Sequence, residues 1–288
     1  MAIVLAVLSS MCFGIALVTG RVGLRTLDAR SGAAISIPTA TVVFAVASPF
    51  VLELTGFNVA AALLFAVVGL FFPALVTILT FRSNEQLGPT VTSAVSGTAP
   101  LFALLAAGLL LDERIPTQAV AAATGVAIGI GLLSWNPSAM RPGFVGWSLL
   151  WPIAGAVVRG VVQVVVKAGL LLWPNPFAAG LIGYAVSSAT VVAADRFGRQ
   201  ERRKPTKQSF IWFGVTGVLN GGAVLLMYAA LSTAAVSIVA PIVAAYPLIT
   251  AIVSAIILRG EVLTARTFAG AVVTVAAIVY LVVSTTGA

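Results

Sequence analysis

Along the chain, apolar runs of about 20 residues alternate with short polar breaks, and polar positions do not recur at every second residue within the runs. Ten such runs stand out: 2–20, 32–52, 60–81, 90–111, 116–135, 144–167, 176–194, 208–230, 234–258 and 266–284. A helix needs about 20 apolar residues to cross a hydrocarbon layer about 30 Å thick, whereas a barrel strand needs roughly 10 and alternates polar with apolar positions. The pattern predicts an all-α integral membrane protein with ten transmembrane helices. Pro38, Pro73, Pro100, Pro152, Pro241 and Pro247 fall inside the runs. Each removes a backbone hydrogen bond and can kink or unwind its helix.

The runs also repeat. Arg21-Val22-Gly23-Leu24 returns as Lys167-Ala168-Gly169-Leu170, 146 residues later, and Pro100-Leu101 leads to Glu113 as Pro247-Leu248 leads to Glu261. Five runs fall in each half, so the expected units are 1–138 and 139–288. Because five is odd, the second unit enters the bilayer from the opposite side, which makes the two an inverted repeat. Pro100 and Pro247 occupy matching places and are the candidate helix breaks.

Composition agrees with lipid as the main solvent. Of 288 residues 60% are hydrophobic and 8% charged, with a mean hydropathy of +1.12; a water-soluble domain carries roughly a quarter charged residues. A net charge of +8 does not imply nucleic acid, because the basic residues sit between apolar runs, where they orient helices. Cys12 is the only cysteine and histidine is absent. Disulfides, thiolate zinc sites and imidazole chemistry are thereby excluded, and no metal or cofactor is expected. Residues 1–20 lack a basic leader and have a repeat partner at 147–167, so they are read as a retained span rather than a signal peptide.

Loop charge gives an orientation. The side that holds the termini carries Arg114 and Lys167, whereas the other carries Arg21, Arg25, Arg30, Arg82, Arg141, six basic residues from Arg196 to Lys207, Arg259 and Arg266. The basic side is cytoplasmic by the positive-inside rule, which puts both termini outside the cytoplasm of a multi-pass protein of the cell membrane. The run from Arg196 to Lys207 reads as an orientation signal, with a lipid-headgroup or partner site as the alternative. Trp135 and Trp147 flank the fifth loop as interfacial anchors.

The order and spacing of several segments resemble the EamA-like transporters of the drug/metabolite transporter superfamily. They are Gly88-Pro89-Thr90-Val91-Thr92-Ser93-Ala94, Ala99-Pro100-Leu101-Phe102-Ala103-Leu104-Leu105 with Asp112-Glu113-Arg114, and the fifth helix with Gly125, Gly129 and Gly131. The second copy has Tyr228-Ala229-Ala230-Leu231, Ala244-Ala245-Tyr246-Pro247-Leu248, Gly260-Glu261 and Gly270. The resemblance implies two inverted five-helix repeats around a central cavity and transport of small metabolites, often outward. Two departures stand against the pattern. Many members keep both termini in the cytoplasm, and the small multidrug exporters of the superfamily exchange protons on a first-helix glutamate that this first helix lacks.

Arg159 is the one charge well inside a span, eight residues from Lys167 and hence roughly 12 Å along the helix. A charge at that depth costs at least about 2.5 to 3.5 kcal/mol unless it faces a cavity or a partner. Gln163 and Lys167 follow at four-residue steps on the same face. This stripe reads either as a cavity wall for an anionic group or as a structural arginine that bonds carbonyls at a broken helix. Asn220 lies mid-span between Gly217 and Gly221 and needs a partner across a helix interface or in the cavity. Ser96, Thr98 and Tyr246 sit beside the paired prolines, where they line a site or bond back to their own helices. The Gly125 to Gly129 face reads as close packing. Asp112, Glu113 and Glu261 read as caps in turns, and Arg82 with Glu85 as a surface pair. Where the sixth helix has Arg159, the matching place in the first has Phe13.

The expected function is a secondary transporter or facilitator that moves a small metabolite (amino-acid-like, anionic or drug-like), by alternating access and outward. The alternative is a non-transporting membrane protein such as a sensor or lipid-carrier subunit. An intramembrane enzyme lacks its base or acid dyad, and no Gly-x-x-x-x-Gly-Lys loop is present to bind ATP. The expected partners are a small-molecule substrate and membrane lipids; the oligomeric state is open and a monomer suffices. The charge count makes one direct prediction: a cytoplasm-active reporter fused after Ala288 stays dark, whereas the same reporter inserted in the 198–204 segment is active.

Overall fold

The computed structural model describes residues 1–77, 79–80, 83, 95–134, 146–197, 205–257 and 265–286. The 88–94 segment, Arg82, Glu85, Trp135, Arg141, Arg259 and Glu261 lie outside the described residues, as does 198–204 of the basic run. Among the described residues every regular element is a helix: α1 Ala2–Gly23, α2 Ala29–Val51, α3 Val59–Phe71, α4 Ala99–Leu110, α5 Thr117–Ser134, α6 Leu150–Leu172, α7 Pro176–Phe197, α8 Lys207–Thr233, α9 Val236–Val243, α10 Tyr246–Ile257 and α11 Ala265–Thr286. Six stretches are long and apolar enough to cross a membrane, namely Ala2–Gly23, Arg30–Val51, Val59–Thr77, Trp147–Leu172, Pro176–Ala194 and Lys207–Thr233. Four shorter apolar helices, Ala99–Leu110, Thr117–Leu132, Val236–Thr250 and Phe268–Ser284, pack with them.

Helix ends follow local chemistry. Asp28 caps α2 by accepting from the N–H groups of Arg30 and Ser31 at 3.1 and 3.0 Å. Partial burial works against its carboxylate, but those bonds outweigh it and hold the carboxyl below its ordinary range. The cap is therefore intact at neutral pH and is lost as pH falls through that lowered value. Thr206 and Ser209 form a reciprocal capping box at the start of α8. One boundary differs from the sequence expectation: α6 runs on to Leu172, past Lys167. Lys167 lies within the helix, and its ammonium reaches sideways to the carbonyls of Leu231 and Ala234 at 2.7 and 3.0 Å.

The exterior is apolar. Phe50 is 88% exposed, Leu109 73% and Phe268 72%, while Ser9, Ser187, Ser209 and Thr274 are fully buried. Lipid tails solvate such a surface as well as other helices do, so association rests on close packing and interhelical hydrogen bonds. Ser9 donates to the Ala223 carbonyl at 2.7 Å, and the hydroxyls of Thr19 and Thr216 meet at 2.8 Å.

Glycines let backbones approach closely at several crossings between residues 1–134 and 150–286, and four of these contacts come in matched pairs. A methyl on Gly160 of α6 would lie 2.6 Å from the Ala103 nitrogen of α4 and 2.9 Å from the Ala99 carbonyl. One on Gly14 of α1 would lie 2.6 Å from Ile249 Cβ and 2.9 Å from the Tyr246 carbonyl of α10. Gly69 of α3 likewise abuts the Gly183 carbonyl of α7, and Gly217 of α8 abuts the Ser36 carbonyl of α2. In each pair the partners recur 146 to 148 residues on, with the halves exchanged. Gly125 and Gly129 seat α5 on Ala277, Thr274 and Gly270 of α11, which is the close packing expected of that face.

Prolines break helices at defined places. Pro73 follows the end of α3, and the carbonyl it deprives of a donor, that of Gly69, accepts instead from Ser187 Oγ at 2.7 Å. The Ala74 N–H in turn donates to Ser187 Oγ at 3.2 Å. Pro38 and Pro241 lie inside continuous helices. The pair Pro100 and Pro247 each stand second in a helix that opens after a two-residue turn, 97–98 and 244–245. Even the hydrogen bonds match: Thr98 N–H to Val95 and Leu101 N–H to Thr98 in one, Ala245 N–H to Ile242 and Leu248 N–H to Ala245 in the other.

A glycine at a backbone contact and one facing open space make a paired test. Gly160→Val should cost about 1 to 3 kcal/mol through overpacking. Gly131→Ala, with nothing within 4 Å of the added methyl, should be neutral or stabilise by up to about 1 kcal/mol. Unfolding of the purified variants in detergent micelles checks both.

Candidate functional site

A cavity of about 310 Å³ lies between the helices that these breaks interrupt. Arg159, Gln163, Asn220, Ser96, Tyr246, Pro100 and Pro247 all line it. Each proline lacks the N–H that would bond the carbonyl four residues back, and those residues, Ser96 and Val243, also line the cavity. Thr98 does not. It lies in the turn before α4, and its hydroxyl donates to the Val95 carbonyl at 2.6 Å, the back-bonding that competes with a role in a site.

Arg159 projects from the middle of α6. Its Nη1 donates to Tyr246 Oη at 2.5 Å and its Nη2 to Thr80 Oγ1 at 3.2 Å, while Nε is buried without a partner. The guanidinium thus bridges Thr80, from the stretch after Pro73, to Tyr246 at the break before α10. One turn further along, Gln163 is 8% exposed and its buried Oε1 has no hydrogen bond. Phe13, at the place in α1 that matches Arg159, lines the same cavity and packs on Tyr246 with ring centroids 6.1 Å apart. Two residues in equivalent positions therefore meet on one tyrosine.

The polar stripe of α6 divides. Arg159 and Gln163 face the cavity, whereas Lys167 bonds the carbonyls where α8 ends. Opposite it, the Glu113 carboxylate accepts from the N–H groups of Val236 and Ser237 at 3.2 and 3.0 Å and from the Ser237 hydroxyl, capping α9. Asp112, in the left-handed region at φ 49°, turns the chain so that Glu113 reaches back across. Lys167 and Glu113 together hold the junction between α8 and α9. From Phe13 the lining of α1 continues through Leu17 and Gly20 to Arg21 and Leu24, both exposed, so the cavity leads toward the end of α1 opposite that junction.

Among the described residues the charged groups lining the cavity are Arg21 and Arg159, both cationic. No described carboxylate reaches Arg159; its hydrogen-bond partners are neutral hydroxyls. Apolar walls come from Phe13, Leu17, Phe72, Val76 and Met227. Sequence reasoning did not single out Thr80, Thr216 or Thr250, which also line it. Threonines are common at helix ends, and Thr80 stands 79 residues from Arg159, so nothing local marks it as a partner. By sequence alone Arg21 is an orientation charge.

Comparison with known proteins fits this geometry. The model of the EamA-like transporter family matches the chain twice, at residues 1–135 and 146–283. No curated protein matches it significantly. A solved structure described only as the crystal structure of a protein superposes with a TM-score of 0.80, over 97% of this chain and 95% of its own, at 14% identity. It is one of 28 chains of solved structures that match, and at that identity the likeness shows the fold alone.

The cap on α9 has a direct test. Glu113→Ala removes the acceptor for two backbone N–H groups at the start of α9 and should cost about 1 to 2 kcal/mol. The purified variant should melt lower in micelles, and Arg114→Ala, at an exposed neighbour, should melt as wild type.

Proposed function

The chain belongs to the EamA-like transporter family, and from that premise we propose that it is a secondary carrier for a small metabolite, working outward across the cell membrane. Members of the family are multi-pass membrane transporters of the drug/metabolite transporter superfamily, which supports a carrier over an enzyme. The reading carries ten membrane crossings in two inverted units, 1–138 and 139–288. The exchanged glycine contacts and the identical breaks before Pro100 and Pro247 support it, since two unrelated halves have no reason to repeat both.

The observation that carries the proposal is the cavity between the halves with Arg159 on its wall, a cation that no described carboxylate reaches. A guanidinium at mid-membrane that is met only by neutral hydroxyls is expensive unless a ligand or water joins them. Arg159 holds the polar end of the substrate, and Gln163 and Asn220 add hydrogen bonds. Ser96 and Tyr246 complete the wall beside the two breaks, and Tyr246 also orients the guanidinium. Lys167 and Glu113 fix the α8–α9 junction. Arg21 and Leu24 carry the lining toward the opposite end, and by the positive-inside rule that end faces the cytoplasm, as loading of an exporter requires. Rocking of one unit against the other would then expose the site on the far side.

Metabolites that differ inside and outside between cells producing and lacking the protein identify the cargo. With that cargo, purified Arg159→Ala in liposomes should lose at least about tenfold in apparent affinity. Wild-type affinity in the variant would sink the binding role.

A further inference from the structure

The chemistry of the cavity narrows the ligand beyond a small metabolite. We infer that it takes a monocarboxylate with an apolar body and one neutral O–H or N–H donor beside the carboxylate, such as a 2-hydroxy acid or an N-acyl amino acid. This inference rests on the reading of the cavity as the carrier's substrate site. Arg159 Nε is buried and unpartnered, and a guanidinium edge offers two parallel N–H groups that a carboxylate accepts together. One helical turn away the Gln163 carboxamide lines the cavity, and its buried Oε1 has no donor. A hydroxyl or amide N–H next to the carboxylate supplies that donor.

Charge excludes the neighbouring classes. A cation would meet Arg159 with no described carboxylate in the lining to receive it. A zwitterion would neutralise the guanidinium but bring an ammonium beside it, with only neutral acceptors such as Gln163 and Asn220. A phosphate dianion wants a second cation next to the first; the other described cation of the lining, Arg21, stands eight residues along α1 from Phe13, and the described groups beside Arg159 are the neutral Thr80, Tyr246 and Gln163. The remaining walls, Phe13, Leu17, Phe72, Val76 and Met227, fit a hydrocarbon body. About 310 Å³ is at the small end of ligand pockets, which run from roughly 300 to 1,000 Å³.

Four probes with one phenyl body separate these classes: 3-phenyllactate, 3-phenylpropionate, phenylalanine and 2-phenylethylamine, titrated calorimetrically into the full-length protein in detergent micelles. Phenyllactate should bind tightest, phenylpropionate about two- to tenfold weaker for want of the hydroxyl, and phenylalanine and the amine at least about tenfold weaker. In Arg159→Gln the advantage of the carboxylates over the amine should vanish. In Gln163→Leu only the advantage of phenyllactate over phenylpropionate should vanish. Equal or tighter binding of the zwitterion or the amine, or no binding by any probe, overturns the inference on wild-type protein alone, whether or not the variants fold. Survival of the carboxylate preference in folded Arg159→Gln also overturns it. Liposome flux of the same probes separates the two readings. A carboxylate bound but not moved defeats the carrier reading and leaves this one standing, whereas flux of the amine alone does the reverse.

Discussion

Lipid offers no hydrogen bonds, so every backbone N–H and carbonyl within it must find a partner inside the protein. The architecture can be followed from that constraint. Where Pro73 deprives Gly69 of its donor, Ser187 of another helix supplies one and takes the Ala74 N–H in return. Where α8 ends, Lys167 meets its last carbonyls, and where α9 begins, Glu113 meets its first N–H groups. The breaks before Pro100 and Pro247 are handled differently. They face the cavity, where irregular backbone is tolerated because water or a ligand can reach it.

Close packing then fixes how the helices lie. Without a hydrophobic force between helices in lipid, contact depends on small residues that let backbones approach. Gly14 and Gly160 seat the first helix of each half against the broken helix of the other, and Gly69 and Gly217 do the same for the outer pairs. Arg159 stands one residue before Gly160 and Phe13 one residue before Gly14. The contact that locks α6 to α4 therefore also aims the guanidinium, and its counterpart aims a ring. Matched glycine contacts thus carry an unmatched lining, and Arg159 and Phe13 converge on Tyr246.

Much of this was legible in the chain. Run lengths and the absence of alternation determined helices in lipid, and the spacing of Pro100 and Pro247 located two equivalent breaks. The cost of a charge at mid-span drew attention to Arg159, and its four-residue relation to Gln163 put both on one face. These are local properties, set by periodicity and by the energetics of single residues. Local reasoning also left Thr98 and Lys167 as candidates for the cavity wall. Whether a threonine bonds its own helix, or a lysine turns sideways to a neighbour, depends on which acceptor comes within 3 Å, and a helix face alone does not say that.

By itself, then, the sequence determined the solvent of this protein, its helical content, its internal duplication and the residue whose charge demands an explanation. Only the tertiary structure decided what surrounds that charge. Thr80 and Tyr246 come from segments 79 and 87 residues away, brought together by glycine contacts that no local pattern encodes. The reason is physical: burial and hydrogen-bond partnership are properties of packed neighbours, and in lipid, where apolar faces do not distinguish inside from outside, helix periodicity does not reveal which neighbours those are.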